Sequence, residues 1–231
     1  PRDGDEDREE EEESALVWRR NVQLAVGSYG LLALGQIVLD ETLPLYMKLD
    51  KEKGGFSYQT HEIGIILSVA GGIFMIFTLF ILPVVANYNK SSLYFYGCLM
   101  TVPIALCMPL LPKLTQDETT VWILLLASLI WKNISLTLAF TAVCVQVTES
   151  ATKDSELASV NAIGQSIASL SRSIGPACGG LLWAAFLSAE HVEGNFYIVC
   201  SVMFVCIALN RLIPNDAKKG EKKERRESPQ V

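Results

Sequence analysis

The sequence predicts an all-α, polytopic membrane protein whose six transmembrane helices form one bundle. Half of its 231 residues are hydrophobic and 19% are charged, whereas about 25% of the residues of a soluble domain are charged. Four long stretches contain no Asp, Glu, Lys or Arg, namely residues 22–39, 63–89, 91–112 and 194–210. About 18 or more mainly apolar residues can cross a hydrocarbon core of ~30 Å as a helix. These observations exclude a soluble globular protein.

Charged residues are concentrated at the two ends of the chain. Residues 1–13 contain nine acidic and two basic side chains, a net charge of −7, while the whole chain carries −6. Such a segment cannot bury enough apolar surface to fold, so residues 1–20 are predicted to be an acidic, disordered cytoplasmic linker. Residues 214–231 are predicted to be a basic, disordered cytoplasmic tail. The transmembrane bundle is then predicted to occupy residues 21–213.

The six predicted spans follow the apolar runs in chain order. Gly54, Gly55 and Thr60 are turn and N-cap signals that separate the first span from the second. Lys132 interrupts the fourth span, and Arg172 interrupts the fifth. The predicted spans are residues 22–47, 62–86, 92–111, 121–147, 157–187 and 196–213.

An even number of spans places both ends of the bundle on one side of the membrane. With cytoplasmic termini, that side carries thirteen Lys and Arg residues and the opposite side carries four. The positive-inside rule therefore predicts an integral, multi-pass membrane protein with both termini cytoplasmic. The sequence leaves open whether the membrane is vacuolar or the plasma membrane. The chain begins with Pro1 and lacks the basic start of a signal peptide, so we expect it to be a fragment of a longer protein.

Lys132 is the most deeply placed ionisable residue of the fourth span. An ionisable side chain at the centre of a transmembrane helix costs about 2.5–3.5 kcal/mol on insertion scales. Lys132 lies eleven residues into its span, which corresponds to roughly 16 Å and places it near the midplane. Ser128 and Ser135 share its helix face. A lysine at this depth is expected to be paired or to have a depressed pKa.

Two adjacent carboxylates, Asp40 and Glu41, lie towards the outer end of the first span. Gln36 precedes Asp40 by one helical turn and is expected on the same face. One interpretation is that the two acids form a hydrated helix end. The other is that one of them is a titratable carboxylate that partners Lys132 or Arg172, or takes up a proton. We expect Gln36 to contribute to the same substrate or coupling site.

The fifth span carries a polar stripe. Asn161, Gln165, Ser169 and Arg172 fall within about 80° of one another on a helix. Because lipid offers such groups no hydrogen-bond partner, we expect this stripe to face a polar cavity and to bind substrate. The alternative is a packed interface in which a carboxylate neutralises Arg172.

Small residues and helix breakers occupy the adjoining face of the fifth span. Small side chains allow another helix to approach closely, and Pro176 with Gly179 and Gly180 interrupts the backbone ladder, so we expect a bend there. The small stripe consists of Gly164, Ala168, Ser171, Gly175 and Gly179.

No motif indicates an enzyme, a cofactor or a metal centre. The six cysteines lie in apolar runs without a CxxC pair and are predicted to be small buried hydrophobic residues. His61 and His191 are expected to be ordinary residues of outer loops. The sequence contains no Walker loop, GxSxG, HExxH or dinucleotide fingerprint. We therefore expect no enzymatic activity, no cofactor, no bound metal and no nucleic-acid partner.

The fifth span also resembles a known family. The string Gly175-Pro176-Ala177-Cys178-Gly179-Gly180 is similar to the GPxxGG end of the antiporter motif of the major facilitator superfamily, with Ala162 and Ser171 in place of its earlier glycines. Residues 161–176 resemble helix eleven of the plant zinc-induced-facilitator-like transporters and their fungal and protist relatives, within the proton-coupled drug-antiporter branch. Residues 40–45 and 54–64 resemble helix seven and the start of helix eight in that group.

This resemblance covers about residues 18–213 and implies helices seven to twelve of a twelve-helix, two-bundle transporter. Residues 86–90 fit that placement, because they lack the acidic residue and arginine pair that the first half of the family carries in the equivalent loop. The implied partners are the lipid bilayer and a missing N-terminal six-helix half.

The implied function is secondary active transport of a small molecule or ion, coupled to protons, by alternating access. The runner-up hypothesis is a non-transporting membrane receptor or scaffold that retains the transporter fold. In that case pairs within the protein would seal the polar stripe.

Overall fold

The computed structural model describes residues 19–80, 82–85, 89–114 and 117–213, and this part of the chain is helical with no β-strand. The predicted tail 214–231 and residues 1–18 of the predicted linker lie outside the described residues. Six long helices follow one another: α1 Arg20–Lys48, α2 Thr60–Phe80, α3 Lys90–Cys107, α4 Glu118–Glu149, α5 Leu157–Ser188 and α6 Gly194–Leu212. The predicted all-α bundle is therefore confirmed.

Five of these helices are long and apolar enough to cross a membrane: α1, α2, α4, α6, and α3 with its extension to Leu114. The fifth predicted span forms the continuous 32-residue helix α5, which carries the polar stripe and is the one long helix of the described residues that is not among these five. Pro176 lies inside α5 without ending it. The predicted bend at this position stays a prediction.

The described helices alternate in direction, so that α1, α3 and α5 begin at one end of the bundle. We call this the near end and the opposite one the far end. At the near end Arg19 donates to Glu156 at 2.6 Å, and Lys90 pairs with Glu149. The hydrogen bond from Arg19 holds the pKa of the Glu156 carboxyl below its usual range.

Helix α1 lies centrally and packs against α4, α5 and α6. Close packing depends on glycine, since a Cβ atom on Gly30 would lie 2.6 Å from the Ile167 side chain of α5. Likewise, a Cβ atom on Gly97 of α3 would lie 2.6 Å from the backbone nitrogen of Ala139 in α4. Helices in lipid associate largely through such van der Waals contact between small residues.

Helix α2 lies at the edge of the bundle and packs mainly against α4. Its buried residues are Ile63, Ile66 and Ala70. Most of its remaining surface is apolar and exposed, including Ile65, Ile73, Met75, Ile76, Leu79 and Phe80. This helix therefore presents a large apolar face that the described residues do not cover.

Candidate functional site

A partly buried ion pair joins α1 to α4. The Nζ atom of Lys132 lies 2.5 Å from Oδ1 of Asp40, and the side chains of Lys132 and Asp40 are 8% and 34% exposed. Such a charge-assisted hydrogen bond is short and strong. Asp40 lies eight residues before the end of α1 at Lys48, a distance of about 12 Å along the helix. The long lysine side chain thus meets Asp40 inside the bundle.

The two adjacent carboxylates face different neighbours. Asp40 points towards Lys132 of α4. Glu41 is exposed and lies beside α5, since the Cβ atom of Glu41 would be 3.6 Å from a Cβ atom placed on Gly179. Consecutive residues of a helix diverge by about 100°, which separates the two acids. Gln36 is half-buried one turn before Asp40. The ion pair therefore involves Asp40 and not Glu41.

The polar stripe of α5 is open on one side of the described bundle and anchored on the other. Gln165, Ser169 and Arg172 are exposed, and Asn161 is half-buried. The Tyr29 hydroxyl of α1 donates to Oε1 of Gln165 at 3.2 Å. This hydrogen bond holds Gln165 beside α1, while the exposed side chains of the stripe stay accessible.

Asn161 is held at the near-end part of the stripe. Its Oδ1 accepts from the Thr148 hydroxyl of α4 at 2.9 Å. Its Nδ2 donates to the backbone carbonyl of Leu157, also at 2.9 Å. Both functional groups of the Asn161 amide are thus satisfied within the protein, which distinguishes it from the exposed members of the stripe.

Arg172 rests on an aromatic ring. Its Cζ atom lies 5.6 Å from the centroid of the Phe140 ring, and Phe140 meets Tyr29 edge-on at 6.0 Å. Among the described residues no carboxylate forms an ion pair with Arg172. A guanidinium over a ring face is attracted by the ring quadrupole. Arg172 therefore has its position set by Phe140 while its charge faces the open side.

The small residues of α5 form the packing face next to this stripe. Gly164, Ala168, Gly175 and Gly179 are buried. A Cβ atom on Gly175 would overlap the Ile37 side chain of α1. By contrast, Gly180 faces open space, and Pro176 is exposed.

A polar contact outside the predicted site residues links three helices next to the α1 turn that carries Asp40 and Glu41. Asn195 of α6 is fully buried, and its Nδ2 donates to the Thr42 hydroxyl at 3.0 Å and to the Gly179 carbonyl at 3.4 Å. Its Oδ1 has no partner among the described residues. The available signal was an Asn at the start of an apolar span, where a polar side chain requires a partner. Asn195 thus joins α1, α5 and α6 next to Asp40 and Glu41.

The cysteines differ in burial from the prediction. Cys98, Cys200 and Cys206 are buried, whereas Cys144 and Cys178 are half-buried and Cys107 is exposed. The prediction that all six are buried is therefore wrong for Cys107, because it lies on a side of α3 that no described helix covers. The described residues contain no group of three or more His, Cys, Asp or Glu residues that could hold a metal ion.

Comparison with known proteins identifies the family. The model of the Major Facilitator Superfamily matches residues 25–231. A major facilitator superfamily multidrug transporter of Aspergillus fumigatus is 28% identical over 186 residues, which are 76% of this chain and 31% of that protein. Protein ZINC INDUCED FACILITATOR 1 of Arabidopsis thaliana is 27% identical over 192 residues, 78% of this chain and 38% of that protein.

A probable peptide/nitrate transporter of Arabidopsis thaliana is 24% identical over 204 residues, which are 86% of this chain and 42% of that protein. The chain thus spans about a third to two fifths of the length of these curated relatives. No solved structure matches it significantly. The match over most of the chain and the apolar helices show that this protein is an integral, multi-pass membrane protein that belongs to the Major Facilitator Superfamily.

Proposed function

We propose that this chain is one half of a secondary active transporter that moves a small solute, coupled to protons, by alternating access. The observation that carries the proposal is the partly buried Lys132–Asp40 ion pair, together with the open polar stripe of α5. Ionisable groups inside transmembrane segments are rare, and they mark substrate and ion pathways. The three relatives described above fit this proposal, since two of them are named as transporters.

The missing partner is a second six-helix bundle. The apolar face of α2 and the open side of α5 both lack a cover among the described residues. The relatives are more than twice as long as the matched segment, which provides room for another such bundle. The solute would bind between the two halves, with Gln165 and Arg172 facing it, and both termini would be cytoplasmic.

Asp40 is the proposed proton acceptor of this half. Its carboxylate is partly exposed while its partner Lys132 is almost fully buried. When a proton binds to Asp40, the charge of the carboxylate is cancelled and the attraction to Lys132 weakens. Lys132 can then turn to another acceptor, and loss of the proton on the other side restores the pair. Glu41 is the second candidate acceptor, because it is the exposed neighbour on the same helix turn.

Transport by the full-length protein tests this proposal. Arg172→Ala should abolish transport, and Asp40→Asn should flatten its dependence on external pH, while both variants reach the membrane. Leu170→Ala is the matched control, because Leu170 is exposed on the opposite side of α5. Normal transport by Arg172→Ala at normal membrane abundance would refute the solute-binding role of Arg172.

Cysteine labelling separates the transporter from a receptor or scaffold that retains the fold. In a protein without its native cysteines, single cysteines at positions 161, 165, 169 and 172 should react with a water-soluble maleimide if the stripe lines a cavity. A cysteine at position 170 should stay unreactive, since lipid covers that side. Protection of all four stripe positions would favour the receptor or scaffold.

A further inference from the structure

A separate pocket of about 420 Å³ lies at the far end of the bundle, away from the polar stripe. It opens between the α1–α2 loop and the start of α4. Small-molecule sites commonly have volumes of about 300–1,000 Å³, so this pocket could accept a small polar group. Its lining residues are Lys51, Gly55, Phe56, Tyr58, Pro112, Lys113, Glu118 and Val121.

The loop that forms one wall is fixed by backbone hydrogen bonds. The amide of Tyr58 donates to the carbonyl of Met47 at 2.9 Å, and the amide of Ser57 donates to the carbonyl of Leu49 at 2.8 Å. The Tyr46 hydroxyl donates to the carbonyl of Gly54 at 2.6 Å. Gly54 has a φ of 87°, which favours glycine. This wall is therefore already formed without a ligand.

Aromatic side chains make the wall apolar. Phe56 and Tyr58 are 3% and 8% exposed and stack on each other with ring centroids 5.6 Å apart. The Trp122 ring of α4 lies 5.7 Å from that of Tyr58. Burial, followed by the charges of Glu118 and Glu62, raises the pKa of Tyr58 to about 12. The Tyr58 hydroxyl thus keeps its proton at neutral pH and can donate a hydrogen bond.

The pocket combines two cations with one acid. Lys51 and Lys113 are exposed, and neither forms an ion pair with any described residue. Glu118 lies in the first turn of α4 and also lines the pocket. Two ammonium groups and a phenol suit a phosphate, whereas one carboxylate suits a cationic group. The lining therefore matches a ligand that carries both charges.

The position of the pocket indicates where such a ligand comes from. Helix α1 ends at Lys48, α2 begins at Thr60 and α4 begins at Glu118, so the pocket lies where apolar spans meet water. Trp and Tyr side chains are enriched at this level of the bilayer, which is the level of lipid headgroups.

We propose that this pocket binds the headgroup of a zwitterionic phospholipid in the leaflet at the far end. Lys51 and Lys113 bind the phosphate, and Glu118 binds the ammonium group. The Tyr58 hydroxyl donates to a phosphate oxygen. This site is independent of transport through the polar stripe, and the two proposals stand or fall separately.

Lipid binding to the purified full-length protein in detergent tests the proposal by native mass spectrometry. Phosphatidylethanolamine and phosphatidylcholine should be retained more strongly than phosphatidylglycerol, which has the phosphate but no ammonium. The double variant Lys51→Gln/Lys113→Gln should bind both zwitterionic lipids about tenfold more weakly, which corresponds to the loss of roughly 1.4 kcal/mol. Glu118→Gln should remove the preference over phosphatidylglycerol. Lys53→Gln is the matched control, because Lys53 is exposed on the same turn as Lys51 and does not line the pocket.

Two results would overturn the proposal. One is equal lipid retention by the double variant and by Lys53→Gln when both have the wild-type thermal stability. The other is equal binding of free phosphoethanolamine and of the lipid, which would assign the pocket to a soluble phosphate ester. Equal affinity of the wild type for phosphatidylglycerol and for the zwitterionic lipids would likewise refute the role of Glu118.

Discussion

The Lys132–Asp40 pair predicts an unequal response to removing either charge. Asp40→Asn leaves a lysine that is 8% exposed, whereas Lys132→Met leaves a carboxylate that is 34% exposed. Breaking a buried pair costs about 3–5 kcal/mol when the remaining charge stays buried, and much less when water reaches it. We therefore expect Asp40→Asn to lower the free energy of unfolding by about 3 kcal/mol. Lys132→Met should lower it by about 1 kcal/mol, because water hydrates the remaining carboxylate.

The double variant Asp40→Asn/Lys132→Met is the decisive member of this series. Replacement of a buried ion pair by neutral groups is often nearly neutral for stability, so its free energy of unfolding should lie within about 1 kcal/mol of the wild type. The two single changes are then coupled by about 3–4 kcal/mol, as expected for residues in direct contact. Titration of the purified protein with SDS, followed by tryptophan fluorescence, measures all four unfolding free energies.

Additive effects of the two single variants would contradict the predicted coupling, because they would mean that the charges of Asp40 and Lys132 do not interact. Equal losses of unfolding free energy in the two single variants would contradict the prediction that the more exposed carboxylate of Asp40 is the easier charge to leave unpaired. Glu41→Gln is the matched control. Glu41 is exposed and forms no ion pair in the described part of the chain. The free energy of unfolding of the Glu41→Gln variant should therefore match that of the wild type.

Two further predictions concern packing and pH. Gly175→Ala places a methyl group on the Ile37 side chain, whereas Gly180→Ala enters open space. In the same assay, Gly175→Ala should lower the free energy of unfolding by about 1–3 kcal/mol, and Gly180→Ala should lower it much less. Equal losses in the two variants would contradict the close packing of Gly175 against Ile37. The pKa of Tyr58 is raised from 10.0 to about 12, so its contribution to stability is present below pH 10 and lost as the pH rises towards 12. Ultraviolet absorbance in an alkaline titration should show one phenol with a midpoint near 12 that is missing in Tyr58→Phe, and its persistence in that variant would refute the assignment.

Local features of the chain could be predicted from the sequence because they depend on neighbouring residues. Apolar runs without charge predicted where the helices lie, and α5 forms over Leu157–Ser188 as its pattern indicates. The alignment of Gln165, Ser169 and Arg172 follows from the helical repeat alone. A deep lysine needs a partner in lipid, so the sequence also predicted that Lys132 would be paired or neutral.

The choice of partners required the tertiary structure. The sequence left open whether Asp40 or Glu41 partners Lys132 or Arg172, and the rotation of the helices places Asp40 2.5 Å from Lys132. The contact between Arg172 of α5 and the Phe140 ring of α4 also depends on the relative rotation of the two helices. That rotation cannot be predicted from the sequence pattern of either helix. The burial of Asn195 against Thr42 depends on how closely three helices approach one another.

The class of protein, the positions of the helices and the face on which each polar side chain lies can therefore be predicted without the tertiary structure. These properties arise from hydrophobicity and from a repeat of 3.6 residues, which act within one helix. The helix faces that meet, the burial of Phe56 of the α1–α2 loop at the far end, and the open polar side of α5 follow from the way the helices pack. Contacts between helices involve residues that are far apart in the chain. Alternative rotations of a helix about its axis differ in energy through many small van der Waals contacts, which a sequence pattern does not reveal.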